Sequence, residues 1–184
     1  QRQMCIRDSM ATINGKALVK DGKPIDRAYS NGQLVYGRNY FLNSSGSSLD
    51  KWANNSNLWS ITNDSIKGNV FTSIPSVAWN GGPQNSLYQR GLDALSGQQV
   101  TVSFWAKADK ENAKFHSEPL GGAKTFNPKL TTSWDKYSYT IPNLATAIVF
   151  FMAVDVGTNY YLSNLKIESG NTATDWTSAP EDYI

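Results

Sequence analysis

The chain is short of the residues on which most enzyme chemistry depends. Its one cysteine, Cys5, cannot close an intramolecular disulfide, so no bridge framework is expected. That absence does not fix a compartment, because a core of roughly 140–150 residues needs no staples to fold. One histidine, His116, and one cysteine fall short of a zinc ligand set. Charge is sparse and mixed: 17 Lys+Arg against 15 Asp+Glu give a net +2, with no broad basic footprint for nucleic acid. No apolar run reaches the ~18–20 residues that span a bilayer, so no membrane partner is expected. The longest run, Ala145 to Val156, is interrupted by Thr146 and Asp155 and reads as a buried strand. No basic segment leads into an apolar stretch, so no signal peptide is evident. A long amphipathic helix is also missing.

What is present is a succession of short strands between strong turn signals. The 184 residues fit one domain, or one domain with a short appendage. Residues 10–38 carry Asn14-Gly15, Asp21-Gly22 and Asn31-Gly32, dipeptides suited to tight hairpins, and predict a β-ribbon or extended leader. A lone hairpin is marginal in water, so it should pack on the next domain or on another copy of the chain. Gly37-Arg38-Asn39 reads as the junction.

Beyond it, segments around Trp59–Thr62, Asn69–Ile74 and Ser86–Gln89 read as strands bounded by Asn, Gly or Pro. Val100 to Ala108 alternates, placing Val100, Val102, Phe104 and Ala106 on a core face and turning Trp105 either to the second sheet face or under a loop. Tyr137–Ile141 alternates and stops at Pro142, and Ala147–Val154 is apolar on both faces like a covered central strand. Tyr160–Glu168 alternates again, placing Tyr161, Ser163, Leu165 and Ile167 together. Trp176 in the polar tail should pin the C-terminus to the body. The expected fold is all-β: two packed antiparallel sheets, a jelly roll rather than an immunoglobulin sandwich, whose paired cysteines are missing.

The sequence assembles no catalytic centre. His116 beside Glu118 has no nucleophile in a supporting context and reads as a surface or loop histidine. Among the acids, Asp155 and Glu168 adjoin strands and are the least remote pair for glycoside hydrolysis, but the sequence does not set them across a cleft. Gly81-Gly82 lacks the strand-to-helix context of a phosphate loop. No cofactor is expected apart from calcium, for which hard oxygens from Asp155 with Asn159 or Asn164 form a loose candidate set, against a simpler turn-capping role.

The richest signal is aromatic: six tryptophans, nine tyrosines and seven phenylalanines amid Asn, Ser, Thr and Gly. A tryptophan ring can lie on the C–H face of a sugar while amides and hydroxyls meet its hydroxyls. Trp79 with Asn80, Tyr88 with Gln89, and Trp105 are the candidate platform, with Asn159 and Tyr160 as a further loop-edge pair. Core packing is the competing role for every one of these rings.

Three stretches carry a family resemblance: VTVSFWAKA from Val100, TSWDKYSY from Thr132 and YLSNLKIESG from Tyr161. With the ending TDWTSAPED from Thr174 and the leader IDRAYSNG from Ile25, they resemble the carbohydrate-binding-module-like jelly rolls of phage tail and minor structural proteins. The resemblance places a jelly-roll domain at 39–184. It implies a non-catalytic glycan-binding module of a phage tail or baseplate protein, recognising bacterial surface polysaccharide. The implied setting is a virion tail or the cell exterior, with other tail proteins as partners and a homo-oligomer as one arrangement. The alternatives are a structural spacer or protein-docking domain of a virion, or an accessory module of a glycoside hydrolase. Residues 1–9 resemble the translation of a transposase adapter used in sequencing, so the natural product is expected to begin at Met10; a genuine disordered leader is the alternative.

Overall fold

The structure is a computed structural model that describes the backbone of residues 3–5 and the whole of residues 16–122 and 124–183. Asn14-Gly15 lies outside the described residues. The strands are β1 (Gln3–Cys5), β2 (Val19–Lys20), β3 (Lys23–Pro24), β4 (Arg27–Ser30), β5 (Gln33–Gly37), β6 (Ala53–Asn54), β7 (Trp59–Asp64), β8 (Gly68–Ser73), β9 (Ser86–Gln89), β10 (Val100–Ala108), β11 (Ala113–Pro119), β12 (Lys129–Leu130), β13 (Asp135–Ile141), β14 (Val149–Ala153) and β15 (Tyr160–Ser169). No α-helix occurs among the described residues, only four 3₁₀ turns.

Ten strands form two five-stranded sheets, ordered β13-β10-β15-β8-β7 and β12-β11-β14-β9-β6. Every pairing within them is antiparallel. The two sheets, called here the β10 sheet and the β14 sheet, pack face to face as the expected sandwich. Alternation fixes which side chains meet between them: Val102, Phe104 and Ala106 from β10, and Phe115 and Phe151 from the facing sheet, are all buried in one core. Phe104 lies 5.7 Å from Phe115 and 5.5 Å from Phe151, ring centre to ring centre. Trp52 and Trp59 belong to this core.

One stretch departs from its pattern. Strict alternation in β15 would keep Tyr161, Ser163, Leu165 and Ile167 together. Instead the pairing with β10 slips between Ser163 and Lys166, where Asn164 takes the left-handed φ of 54°. This bulge inverts the phase. Tyr160 and Leu162 face the core before it, Leu165 and Ile167 after it, and Tyr161 and Ser163 are turned to the outer face. Asparagine tolerates that backbone conformation at low cost.

The leader folds as the sequence predicts. Asp21-Gly22 turns β2 into β3 and Asn31-Gly32 turns β4 into β5, all four residues with φ between 49° and 76°. Backbone of β1 pairs in parallel with β4. Ile25, Ala28 and Tyr36 make a small separate core under this ribbon. It docks on the outer face of the β10 sheet around a pair of buried charges, Lys166 and Glu168, 3.8 Å apart and fully sealed. Lys166 Nζ donates to Thr174 Oγ1 at 2.7 Å and to the Asp175 carbonyl at 2.7 Å. Glu168 accepts from the Thr174 amide and hydroxyl, each at 2.8 Å. The Gly37 amide donates to the same Thr174 hydroxyl at 3.1 Å. Leader, strand and tail therefore share one polar knot. At the junction, Asn39 bridges to Leu165 and Thr177, and Trp176 Nε1 donates to Ser44 Oγ, which pins the tail as expected.

Gly37 is needed there for space, since a Cβ would lie 1.8 Å from Glu168 Oε2. Gly37→Ala is expected to lift the ribbon from the body and cost about 1–3 kcal/mol, seen as a lowered melting temperature with faster tryptic cleavage in residues 16–38. Burial pushes the Lys166 amine down to about 8 against the opposing pull of Glu168. The folded chain then releases this proton at lower pH than the unfolded chain does. The group's contribution to stability accordingly grows as pH rises from about 8 towards the ordinary lysine value of 10.5. Side-chain ¹⁵N NMR should show Lys166 titrating below the exposed lysines; a common midpoint for all of them would refute the buried pair.

Candidate functional site

The expected platform is divided between opposite sides of the sandwich. Trp79 and Tyr88 lie on the outer face of the β14 sheet, whereas Trp105 lies on the outer face of the β10 sheet. The cause is register: Tyr88 stands opposite Ala53 and Phe150 in one sheet, and Trp105 opposite Ser163 and Lys136 in the other.

On the β14 sheet, one row across the strands reads Ala53, Tyr88, Phe150 and Glu118, and the next reads Ser86, Met152 and His116. Tyr88, Phe150 and Met152 form a satellite apolar cluster with Trp79, Ala53 and Ile148 packed against it. The Tyr88 and Phe150 rings are 4.8 Å apart and keep 9% and 8% of their surface open. Trp79, half-buried, is carried over this sheet by the loop between β8 and β9. Its indole N–H donates to the Gly82 carbonyl at 2.6 Å, and its ring lies 4.5 Å from that of His116. Asn80 Oδ1 accepts from the Gly82 amide at 3.2 Å, so Asn80 shapes the Trp79 loop.

Polar groups border the rings. Arg90 Nη2 donates to the Tyr88 hydroxyl at 3.2 Å with its guanidinium 5.4 Å above the ring. His116 is no surface histidine: it is 5% exposed in β11, beneath Trp79. Its Nδ1 meets Asn127 Oδ1 at 2.6 Å, and its Nε2 lies 3.3 Å from Glu118 Oε2. Among the described residues no serine, threonine or cysteine side chain hydrogen-bonds to His116.

On the β10 sheet, Trp105 is not an open platform. Lys67 Nζ sits 3.6 Å from its ring centre, on the face a sugar would use. Lys107 lies 5.0 Å from the Trp134 ring and 5.1 Å from Tyr161. Asp64 ties the group together, accepting from Lys107 Nζ at 2.7 Å and from the Trp134 indole at 3.1 Å. Beside this cluster, between β7, β8 and the start of β15, runs a groove of about 500 Å³.

Other expected contacts prove structural. Gln89 is buried and clasps the Leu42 backbone, donating to its carbonyl at 2.9 Å and accepting from its amide at 2.8 Å. Tyr160 is fully buried, its hydroxyl accepting from the Asp155 amide and donating to the Lys114 carbonyl. Its neighbour Asn159 lines the groove, held by Asp109 through both its backbone and side-chain nitrogens. Asp155 Oδ2 accepts from the Lys114 amide at 2.7 Å, and Asn164 accepts from Ser163 at the bulge. Among the described residues no group of three His, Cys, Asp or Glu side chains converges as a metal site. Glu168, proposed with Asp155 as an acid pair, is instead sealed against Lys166.

Four residues at these faces escaped the sequence reading. Phe150 was hidden in a run apolar on both faces, and Tyr161 by the unforeseen bulge. Arg90 follows the end of β9 and Trp134 precedes the start of β13, where no periodic signal points to a face.

No protein-family profile matches the chain, and no curated protein sequence matches it. Solved structures do share its fold. A tandem pair of carbohydrate-binding modules from Paenibacillus barcinonensis Xyn10C superposes with a TM-score of 0.53 at 16% identity, over 76% of this chain and 48% of that one. A family-61 module in complex with β-1,4-galactotriose gives 0.51 at 13% identity, over 73% of this chain and all 100% of that one. The carbohydrate-binding and catalytic modules of Clostridium thermocellum xylanase 10B, complexed with xylohexaose, give 0.51 at 12% identity over 72% of this chain and 29% of that one. The matched part of each neighbour shares the architecture of this sandwich.

The Asp64 knot makes its own prediction. Burial opposes ionisation there, but the Lys107 ion pair, the Lys67 and Ile66 amides and the Trp134 indole together hold the carboxyl well below its usual range. Its contribution to stability is complete above the ordinary carboxylate pKa and is lost as pH falls through the depressed folded value. Asp64→Asn should cost about 2 kcal/mol at pH 7 and flatten the acid limb of a pH–stability curve. An unchanged acid limb would rule the knot out as its source.

Proposed function

We propose that this chain is a non-catalytic glycan-binding module of a phage tail or baseplate protein, recognising a bacterial surface polysaccharide. The observation that carries the reading is the aromatic strip of Trp79, Tyr88 and Phe150 on the outer face of the β14 sheet. Within it the half-buried Trp79 ring offers flat apolar surface to sugar C–H groups, backed by Tyr88 and Phe150, which are 9% and 8% exposed. Arg90 and Glu118 beside it offer a donor and an acceptor to their hydroxyls. Trp79 is its most open ring. The oligosaccharides held by the galactotriose- and xylohexaose-bound neighbours give the class of ligand. The virion setting rests on the resemblance of the strand, leader and tail sequences to phage tail modules. Repeated copies of a weak module would attach firmly, because each bound copy raises the effective concentration of the next.

A docking domain of the same virion is the second reading. It is favoured by the exposed Ile74, Val77 and Val156 on neighbouring loops at one end of the sandwich, where the Gly157 amide donates to the Pro75 carbonyl.

Purified chain titrated calorimetrically with host cell-wall polysaccharide should bind saturably. Trp79→Ala should weaken that binding about tenfold with the circular dichroism spectrum unchanged. Trp105→Ala, on the opposite side under Lys67, should leave it intact. Absence of binding to any host polysaccharide, with virion assembly failing in Trp79→Ala, would replace the glycan reading by the docking one.

A further inference from the structure

The groove on the β10 sheet lies on the opposite side of the sandwich from the Trp79 strip, and its lining has a chemistry of its own. Pairing sets Ser60, Thr72 and Tyr161 side by side across β7, β8 and β15, so two hydroxyls and a tyrosine share one row. Thr62 shares their face one step along β7 and bonds to Thr72, hydroxyl to hydroxyl, at 2.6 Å. Leu58 and Ile74 supply apolar wall, and Asn63 and Asn159 supply amides. The volume of about 500 Å³ falls within the range of roughly 300–1,000 Å³ occupied by small-molecule sites.

Much of this polar lining is unspent. Among the described residues no partner hydrogen-bonds to the Ser60 hydroxyl, the Asn63 side-chain amide or the Tyr161 hydroxyl. A ligand hydroxyl can pair with these groups in place of water. The groove's lining holds no Asp, Glu, Lys, Arg or His side chain, and Lys107, 5.1 Å from the Tyr161 ring at its border, is engaged by Asp64 at 2.7 Å. A charged ligand would meet no charged group inside the groove, and a wholly apolar one would strand the hydroxyls.

We propose that this groove is a second saccharide site, selective for neutral sugar units, with Tyr161 as the stacking ring and Ser60, Thr62, Asn63, Thr72 and Asn159 as hydrogen-bonding partners. The site is independent of the Trp79 strip. With both occupied, one module holds two glycan segments on opposite faces and cross-links them.

The test is a ¹H–¹⁵N NMR titration of the full chain with maltotriose, cellotriose and tri-N-acetylchitotriose, with trigalacturonate as the charged comparison. At least one neutral trisaccharide should shift amides at 60–63, 72–74 and 159–161 saturably, with a stronger response than trigalacturonate. Tyr161→Ala should weaken this response tenfold or more. Ser60→Trp, at an exposed position that fills the groove without entering the core, should abolish it. Trp79→Ala should leave it unchanged, so loss of the Trp79 strip and loss of the groove are read separately. No response at these amides to any neutral sugar, a response surviving Ser60→Trp, or a preference for trigalacturonate would overturn the proposal.

Discussion

A lysine and a glutamate sealed together at the end of β15 decide which parts of this molecule meet solvent. Buried ion pairs contribute little net stability, because desolvation offsets their attraction, but a member left without its partner is very costly. Lys166 and Glu168 avoid that cost only while the tail supplies the Thr174 hydroxyl, the Thr174 amide and the Asp175 carbonyl. The leader in turn must bring a residue without a side chain, Gly37, to within reach of the same threonine. The leader is thereby locked in register with a strand and tail that are neighbours of each other but lie more than a hundred residues along the chain from it. The pair acts as a specificity device whose demand for partners fixes how leader and tail lie on the body.

That locking divides the outer face of the β10 sheet. Its leader-side half is covered by the ribbon and tail, while the half over β7, β8 and the start of β15 stays open. Within the open half, charge is confined to the knot of Asp64, Lys67 and Lys107, where each cation rests on an aromatic ring. The groove next to it is left neutral. On the opposite sheet, among the described residues, Tyr88, Phe150 and Met152 are shielded mainly by one another and by the Trp79 loop. One sandwich thus presents two unlike faces, one built of rings and one of hydroxyls.

The fold was legible in the sequence because its signals are local. Alternation from Val100 to Ala108 matched β10 from end to end, and the Asp-Gly and Asn-Gly dipeptides marked both ribbon turns. The site was less legible because it depends on which sheet each strand joins. Alternation correctly turned Trp105 away from the core, yet nothing local told that its outer face was the far side of the molecule from Tyr88. Nor did composition foretell that Lys67 would cover its ring. Gln89 and Tyr160 stand next to turn or loop residues in the sequence, but their polar atoms serve backbone groups inside the body. The bulge at Asn164 shows the limit most sharply. A single left-handed residue inverted the face of everything after it, and asparagine in a strand is only a weak signal of that event.

Small, shallow sites of this kind set a bound on how the module works. One stacked ring and a few hydrogen bonds exchanged with water yield net contributions of about 1 kcal/mol each, and a millimolar dissociation constant already corresponds to about −4.1 kcal/mol. Among the described residues the groove and the Trp79 strip are open to solvent, so a single molecule gains little more there. On the proposed reading, tight attachment comes from repetition, through several copies side by side or through both faces of one copy. A sandwich with its core closed between the sheets suits that arrangement, because both outer faces remain free to vary while Phe104, Phe115 and Phe151 keep the scaffold unchanged.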